Sequence, residues 1–318
     1  MAKLATETES FLHIGNSDAT AKVSSPSPAP AAQPAADNNA KNTLEKATKA
    51  AAASPSAANT PCSSTGTCPI QNNFNTPCIQ QFTQIFPIDK EEDESDIQYE
   101  TRVQNLYNAF IASMKKYSIN TKEQQALFLG QVGHETESLN AMSEVDGENR
   151  EGTDYYGRGG LQLTGESTYE AYNNFKHAEN KTDATDYTDI TTLNSIANDP
   201  TFVADSAGWF YTKYKNINSY DTVDADTIKE VTKKVNYWEA IGYLYYDLST
   251  KENNGTITAD EKKQLDIVKG VYKDLKQKIP EETQLESMSV NYTQRVTMTN
   301  NAFKVLQDDK ICDSSAAA

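Results

Sequence analysis

The stretch "NTKEQQALFLGQVGHE", residues 120–135, decides how the chain is read. Ala126, Leu129 and Val132, with Phe128, recur at helical spacing and predict a helix with one buried side. Asn120 and Glu123 stand at capping-box spacing at its start. The helix ends on Glu135, a carboxylate on the last turn of an apolar element. Just beyond it, "GHETESLNAMSEVD" (133–146) adds Glu137, Glu144 and Asp146 beside His134. Two readings are open at this point. The plain one is solvation of a helix end; the other is a pair of carboxylates that work together on a substrate.

Working outward, the pattern stays helical. Val103, Leu106, Tyr107, Phe110, Ile111, Met114 and Tyr117 form one apolar stripe before the opening stretch. After it, "DPTFVADSAGWFYTKY" predicts a helix capped by Asp199 with Pro200 at its first position. "TIKEVTKKVNYW" predicts another. In "TADEKKQLDIVKGVYKDLKQKIP", Thr258 and Glu261 form a capping box ahead of a stripe of Leu265, Val268, Tyr272, Leu275 and Ile279, which Pro280 ends. "TQRVTMTNNAFKVLQ" predicts the last helix. Strand signals are short and confined to "YYGRGGLQLTG". The expected fold class is therefore mainly α, with a small irregular or β element.

The first 85 residues read differently. Residues 20–60 are rich in Ala, Pro, Ser and Asn and have little to bury, as in a disordered arm. The body is expected to start near residue 86, although Phe74, Phe82, Ile85 and Phe86 would allow the preceding segment to dock. Cys62, Cys68 and Cys78 crowd together and Cys312 lies in the tail; a disulfide-tied loop and free thiols are both open, and the lack of a signal peptide favours thiols. With no histidine near the cysteines, and "HETES" in place of H-E-x-x-H, no metal site is expected.

Charge excludes some functions. The chain of 318 residues carries a net charge of −16, with five lysines and five acidic residues before residue 86, so the whole excess lies in the body. Such a surface offers no basic patch for nucleic acid. No run approaches the ~20 apolar residues of a membrane helix. The N-terminus has no apolar core of a secretory signal, so the expectation is a protein made in the cytoplasm and exported, if at all, by a non-Sec route.

Cutting a glycosidic bond takes one carboxylic acid to protonate the leaving oxygen and a second carboxylate to act on water or the sugar. A carboxyl leaving a buried helix end into a cleft suits the acid, because partial desolvation favours the neutral form. Glu135 has that position. For the second role Glu144, Asp146, Glu148 and Glu151 all compete on spacing alone.

Five segments in order then resemble the family 19 glycoside hydrolases, the chitinases and related phage endolysins. "FLGQVGHETESL" resembles their F-L-A-Q-x-G-H-E-[ST] helix, and "YYGRGGLQLTGESTYEAY" their Y-x-G-R-G-x-[IL]-Q-L-T-G-x-x-N-Y segment. "NDPTFVADSAGWFY" is similar to their S-A-x-[FW]-[FW] region, "VTKKVNYW" to I-T-x-x-[IV]-N-G-G, and "TQRVTMTNNAFKVL" to the Arg-bearing final helix. The resemblance covers roughly residues 120–307. It implies a lysozyme-like, bilobal, mainly α fold (α+β in class) and an inverting hydrolysis of β-1,4 bonds between N-acetylated amino sugars, with no cofactor. It implies that Glu135 is the general acid and Glu144, nine residues on, the general base, with Thr164 helping to hold the attacking water. Gln162 and Asn236 fall to substrate contact, and Arg295 to the arginine paired with the acid region; apart from the resemblance, Tyr156 is a candidate to bind substrate by stacking on a sugar ring.

The sequence also departs from that pattern. Tyr237 and Trp238 stand where the family has Gly-Gly after Asn236, Thr168 replaces an Asn, and about 239–290 is inserted. These changes bear on which sugar is bound. The short loop between Glu135 and Tyr155 resembles compact bacterial and phage members and favours peptidoglycan as the polysaccharide partner; chitin is the alternative, and a wall-binding protein on a decayed hydrolase fold is the alternative of another class. Phage lysis from within suits the architecture. So does injection by a contact-dependent secretion machine, with the arm as loading segment and with secretion-machinery or immunity partners; "CSSTGTCPI" faintly resembles leaders of type VI secretion effectors. Arg158, between two glycines, reads as a buried ion-pair partner, and Trp209 as core.

Overall fold

Capping chemistry sets where the helices begin. The computed structural model describes residues 74–144, 147 and 154–313. Within them α1 spans Ile79–Ile85, α2 Asp96–Lys116 and α3 Lys122–Glu135. Ser95 and Gln98 form the capping box of α2. For α3 the box is Thr121 with Gln124, one residue later than the expected Asn120 and Glu123. Gln124 wins because its Oε1 accepts from both the Asn120 and the Thr121 N–H, at 2.9 and 3.2 Å.

There follow α4 (Glu166–Glu179), α5 (Ile190–Ile196) and α6 (Pro200–Trp209), the last capped by Asp199 as its sequence implies. It runs on into a π-helical turn, Phe210–Tyr214. Then come α7 (Ala225–Val235), α8 (Tyr237–Asn253), α9 (Ala259–Asp274), α10 (Glu282–Gln307) and α11 (Lys310–Asp313). The described chain is mainly α. The β element expected near residues 155–165 reduces to two isolated bridges, Ser143 with Arg158 and Arg158 with Leu163. No described helix is long and apolar enough to cross a membrane.

The central helix is α3. Every residue from Gln125 to Gly133 is buried, so it is covered all round rather than on the one side its pattern suggests. The α2 stripe (Val103, Leu106, Phe110, Ile111, Met114) packs into the same core. On another side α10 lies against α3, with Gly130 at the closest approach: a Cβ there would sit 2.6 Å from the Thr299 Cα. Trp209 is buried in the core, edge-on to Tyr172.

Three expectations change. The body begins before residue 86, because Phe82 and Phe86 are both buried against Phe110, with ring centroids 5.9 and 6.0 Å away. Cys78 is not a free thiol: it pairs with Cys312, Cα atoms 5.8 Å apart, joining the start of α1 to α11. Gln81 adds hydrogen bonds to the carbonyls of Val305 and Asp308 at the end of α10. Cys62, Cys68 and the rest of the first 73 residues lie outside the described residues, as do Asp146, Glu148 and Glu151. Lastly, the segment 239–290 contains most of α8 and the first turns of α10 as well as α9. Leu265, Val268 and Tyr272 of α9 are buried, the latter two against Ile241 of α8, but Ile279 lies past the end of α9 and is exposed.

Candidate active site

Two sets of side chains meet the chain at the end of α3. The first is built on a buried cation. Arg295 of α10 is only 1% exposed, and its Nη2 donates to Glu135 Oε1 at 2.6 Å. Its Nε and Nη2 donate to the two oxygens of Glu239 on α8, at 2.5 and 3.1 Å, and its Nη1 donates to Gln131 Oε1 at 3.0 Å. Gln131 in turn donates to the Thr232 hydroxyl of α7 at 3.3 Å. Every arm of the guanidinium is thus fixed, by α3 at Gln131 and Glu135 and by α8 at Glu239. A buried charge of this kind is tolerable only when paired and hydrogen-bonded.

One guanidinium faces two carboxylates here, so the cluster carries a net charge of −1 and becomes neutral on binding one proton. Burial pushes the Glu239 carboxyl above the usual range, against the opposing pull of Arg295. Glu239 is nearly enclosed, whereas Glu135 keeps 17% of its side chain open. Glu135 is therefore the carboxylate of the pair that solvent reaches. His134 lies 3.8 Å from Glu239 Oε2, yet burial and then the charge of Arg295 push its pKa down to about 3. The neutral ring makes this a packing contact and not an ion pair.

The second set sits on the loop after α3 and on residues 154–165. Glu137, Ser138 and Leu139 take positive φ (48°, 62° and 67°), an uncommon run for residues with side chains. The reversal is held by Ser138 N–H on the Gly133 carbonyl and by Leu139 N–H on the Thr136 hydroxyl. It lays Ser143 and Glu144 beside Gly157 and Arg158. Glu144 N–H donates to the Gly157 carbonyl at 2.8 Å, and Gly157 N–H donates to Glu144 Oε2 at 3.1 Å. Gln162 and Thr164 lie close against residue 157: a Cβ there would meet Gln162 Oε1 at 2.6 Å and Thr164 Oγ1 at 3.4 Å. Glu144, Gln162 and Thr164 thus gather round one residue. All three are half-buried.

Other sequence-assigned residues are engaged elsewhere. Tyr156 is buried, its ring 3.5 Å from the Arg158 guanidinium and its hydroxyl on Asn194 Oδ1, so it supports the loop rather than facing solvent. Asn236 is the N-cap of α8: its Oδ1 accepts from the Glu239 N–H and its Nδ2 donates to Glu239 Oε2 at 3.4 Å. Arg295 lies beneath Glu135 and is closed to a substrate. Arg158 is fully buried but has no carboxylate among the described residues; backbone carbonyls, Asn194 and the Tyr156 ring hold it instead. Glu239 was not singled out in the sequence. Its one signal is the N-cap spacing from Asn236, which announces a helix start and says nothing of a second carboxylate on Arg295.

No family model matches the chain, and no curated protein matches it.

Proposed function

We propose that the chain is a glycoside hydrolase of the family 19 kind, cleaving β-1,4 bonds between N-acetylated amino sugars by inversion, with peptidoglycan as its substrate. The observation that carries the reading is the helix-end carboxylate Glu135 held at one oxygen by a fully buried arginine. Arg295 fixes Oε1, and among the described residues no hydrogen bond falls on Oε2. That oxygen is the donor to the leaving group. As the bond breaks, the leaving sugar oxygen takes the proton and Glu135 becomes an anion, which Arg295 stabilises at 2.6 Å without any movement of the site. Glu239 keeps the guanidinium in place and supplies the second negative charge that lets the cluster hold a proton beforehand.

Glu144 is the base. Held by the Gly157 N–H at Oε2, it takes a proton from a water that the Thr164 hydroxyl also orients, and the water attacks the sugar on the face opposite the leaving group. Gln162, on the same turn, is a hydrogen-bond partner for the sugar. A second reading, chitin, is favoured by one observation: a net charge of −16 repels an anionic wall polymer and not a neutral one. Delivery to the wall, by phage lysis or by injection, remains part of the peptidoglycan reading.

A zymogram on purified peptidoglycan, run beside glycol chitin, tests the proposal. Clearing of peptidoglycan that disappears in Glu135→Gln supports it, clearing of chitin alone selects the second reading, and clearing of neither overturns both. On early soluble products, NMR should find the inverted anomer.

A further inference from the structure

One peptide unit lies between a buried cation and the proposed base. The carbonyl of Tyr156 accepts two hydrogen bonds, from Arg158 Nη1 at 3.1 Å and from the Tyr169 hydroxyl at 3.0 Å. The N–H of the same peptide, on Gly157, donates to Glu144 Oε2 at 3.1 Å. Donors on one end and an acceptor carboxylate on the other polarise the peptide in the same sense, and hydrogen bonds linked in this way strengthen one another.

We propose that Arg158 and Tyr169 are positioning residues that aim and polarise the 156–157 peptide so that its N–H fixes the Glu144 carboxylate. The proposal rests on the reading of Glu144 as a base and adds how that base is held. Arg158 is suited to the task. It is fully buried, it reaches the Asp154 carbonyl at 3.2 Å, and it shares Asn194 Oδ1 with the Tyr156 hydroxyl, so the curl 154–158 closes around its own guanidinium. The backbone of Arg158 is the partner in both β-bridges, one to Ser143 beside Glu144 and one to Leu163 between Gln162 and Thr164. Tyr169 reaches in from the first turn of α4 and is fully buried; burial drives its hydroxyl far above the usual phenol range, so it remains a donor at any working pH. Among the described residues Arg158 directs its donors to the Asp154 and Tyr156 carbonyls and to the Asn194 side chain.

The test uses the full chain, labelled with 15N-glycine, and reads the Gly157 amide proton. Tyr169→Phe removes one donor and keeps the ring; Arg158→Lys keeps the charge and removes the fork; Glu144→Gln removes the carboxylate. Each should move the Gly157 resonance upfield, and Tyr169→Phe combined with Glu144→Gln should move it no further than Glu144→Gln alone. In turnover, Tyr169→Phe should lower kcat with KM and thermal midpoint near those of the parent, and Arg158→Lys should lower it by up to about 100-fold, the scale of a misplaced reacting group. A Gly157 resonance that Tyr169→Phe leaves in place overturns the proposal, even if Arg158→Lys fails to fold. If the resonance moves as expected but the parent hydrolyses neither polymer, the positioning role stands and the hydrolase reading falls.

Discussion

Arg295 shows what a single residue does in this molecule. It is one cation held by side chains of two other helices, Gln131 and Glu135 of α3 and Glu239 of α8, and of these the sequence singled out only Glu135. Replacing it by Lys keeps a charge but not the fork that reaches Glu135, Glu239 and Gln131 together. The expected result is a destabilised protein, because the buried Glu239 carboxylate, the partly exposed Glu135 carboxylate and the Gln131 amide lose their donors; breaking such a buried pair costs about 3–5 kcal/mol. Urea denaturation of Arg295→Lys measures it. His134 gives a second expectation, in pH. Its folded pKa of about 3 lies below the 6.5 of a free imidazole. A depressed value means that the stabilising contribution is complete above pH 6.5 and is lost as the pH falls toward 3, where the imidazole must charge inside the cluster. The thermal midpoint of the parent should therefore decline through that window, and His134→Gln should flatten the decline; an unchanged slope would place the acid sensitivity elsewhere. Glu135 was legible because it ends an apolar helix and carries a motif around it. Glu239 was not, since its meaning comes from Arg295, which lies 56 positions away in the sequence.

Among elements, those read correctly are the ones whose own residues determine them. The Thr258–Glu261 box and the Val103–Met114 stripe carry their signal locally, and both stand in the structure where the sequence put them. α8 was missed although it also carries a local signal. Tyr237 and Trp238 looked like damage to a glycine pair, although Asn236 with Glu239 already had the spacing of a helix start. The burial of α3 on all sides was also out of reach, because Gln125, Gln131, Gly130 and Gly133 interrupt its apolar pattern and are buried only through contacts with other elements. Gly130 is the sharpest of these. Adding a methyl brings it 2.6 Å from the Thr299 backbone, a clash that no side-chain rotation removes. Gly130→Ala should thus destabilise by about 1–3 kcal/mol despite its better helix propensity. If Gly130→Ala proves as stable as the parent, α3 and α10 do not approach as closely as described.

At the scale of the whole chain, the Cys78–Cys312 bridge joins segments 234 positions apart, a pairing that cysteine spacing could not reveal. Reduction, or Cys78→Ser, should lower stability by about 2–5 kcal/mol. A chain beginning at residue 86 should melt below one beginning at residue 72, since it also lacks Phe82 and Gln81; equal melting points would mean that α1 contributes nothing. Activity is the property that joins the scales, and one measurement tests it most directly: turnover of purified peptidoglycan by Glu135→Gln and Glu144→Gln, with circular dichroism to confirm that both are folded. Each should lose on the order of 10²–10⁴-fold or more in kcat, the contribution of a positioned acid or base, while still binding the polymer. Folded variants that retain the parent's turnover would contradict the assignment of these two glutamates and, with it, the reading of the chain as a glycoside hydrolase.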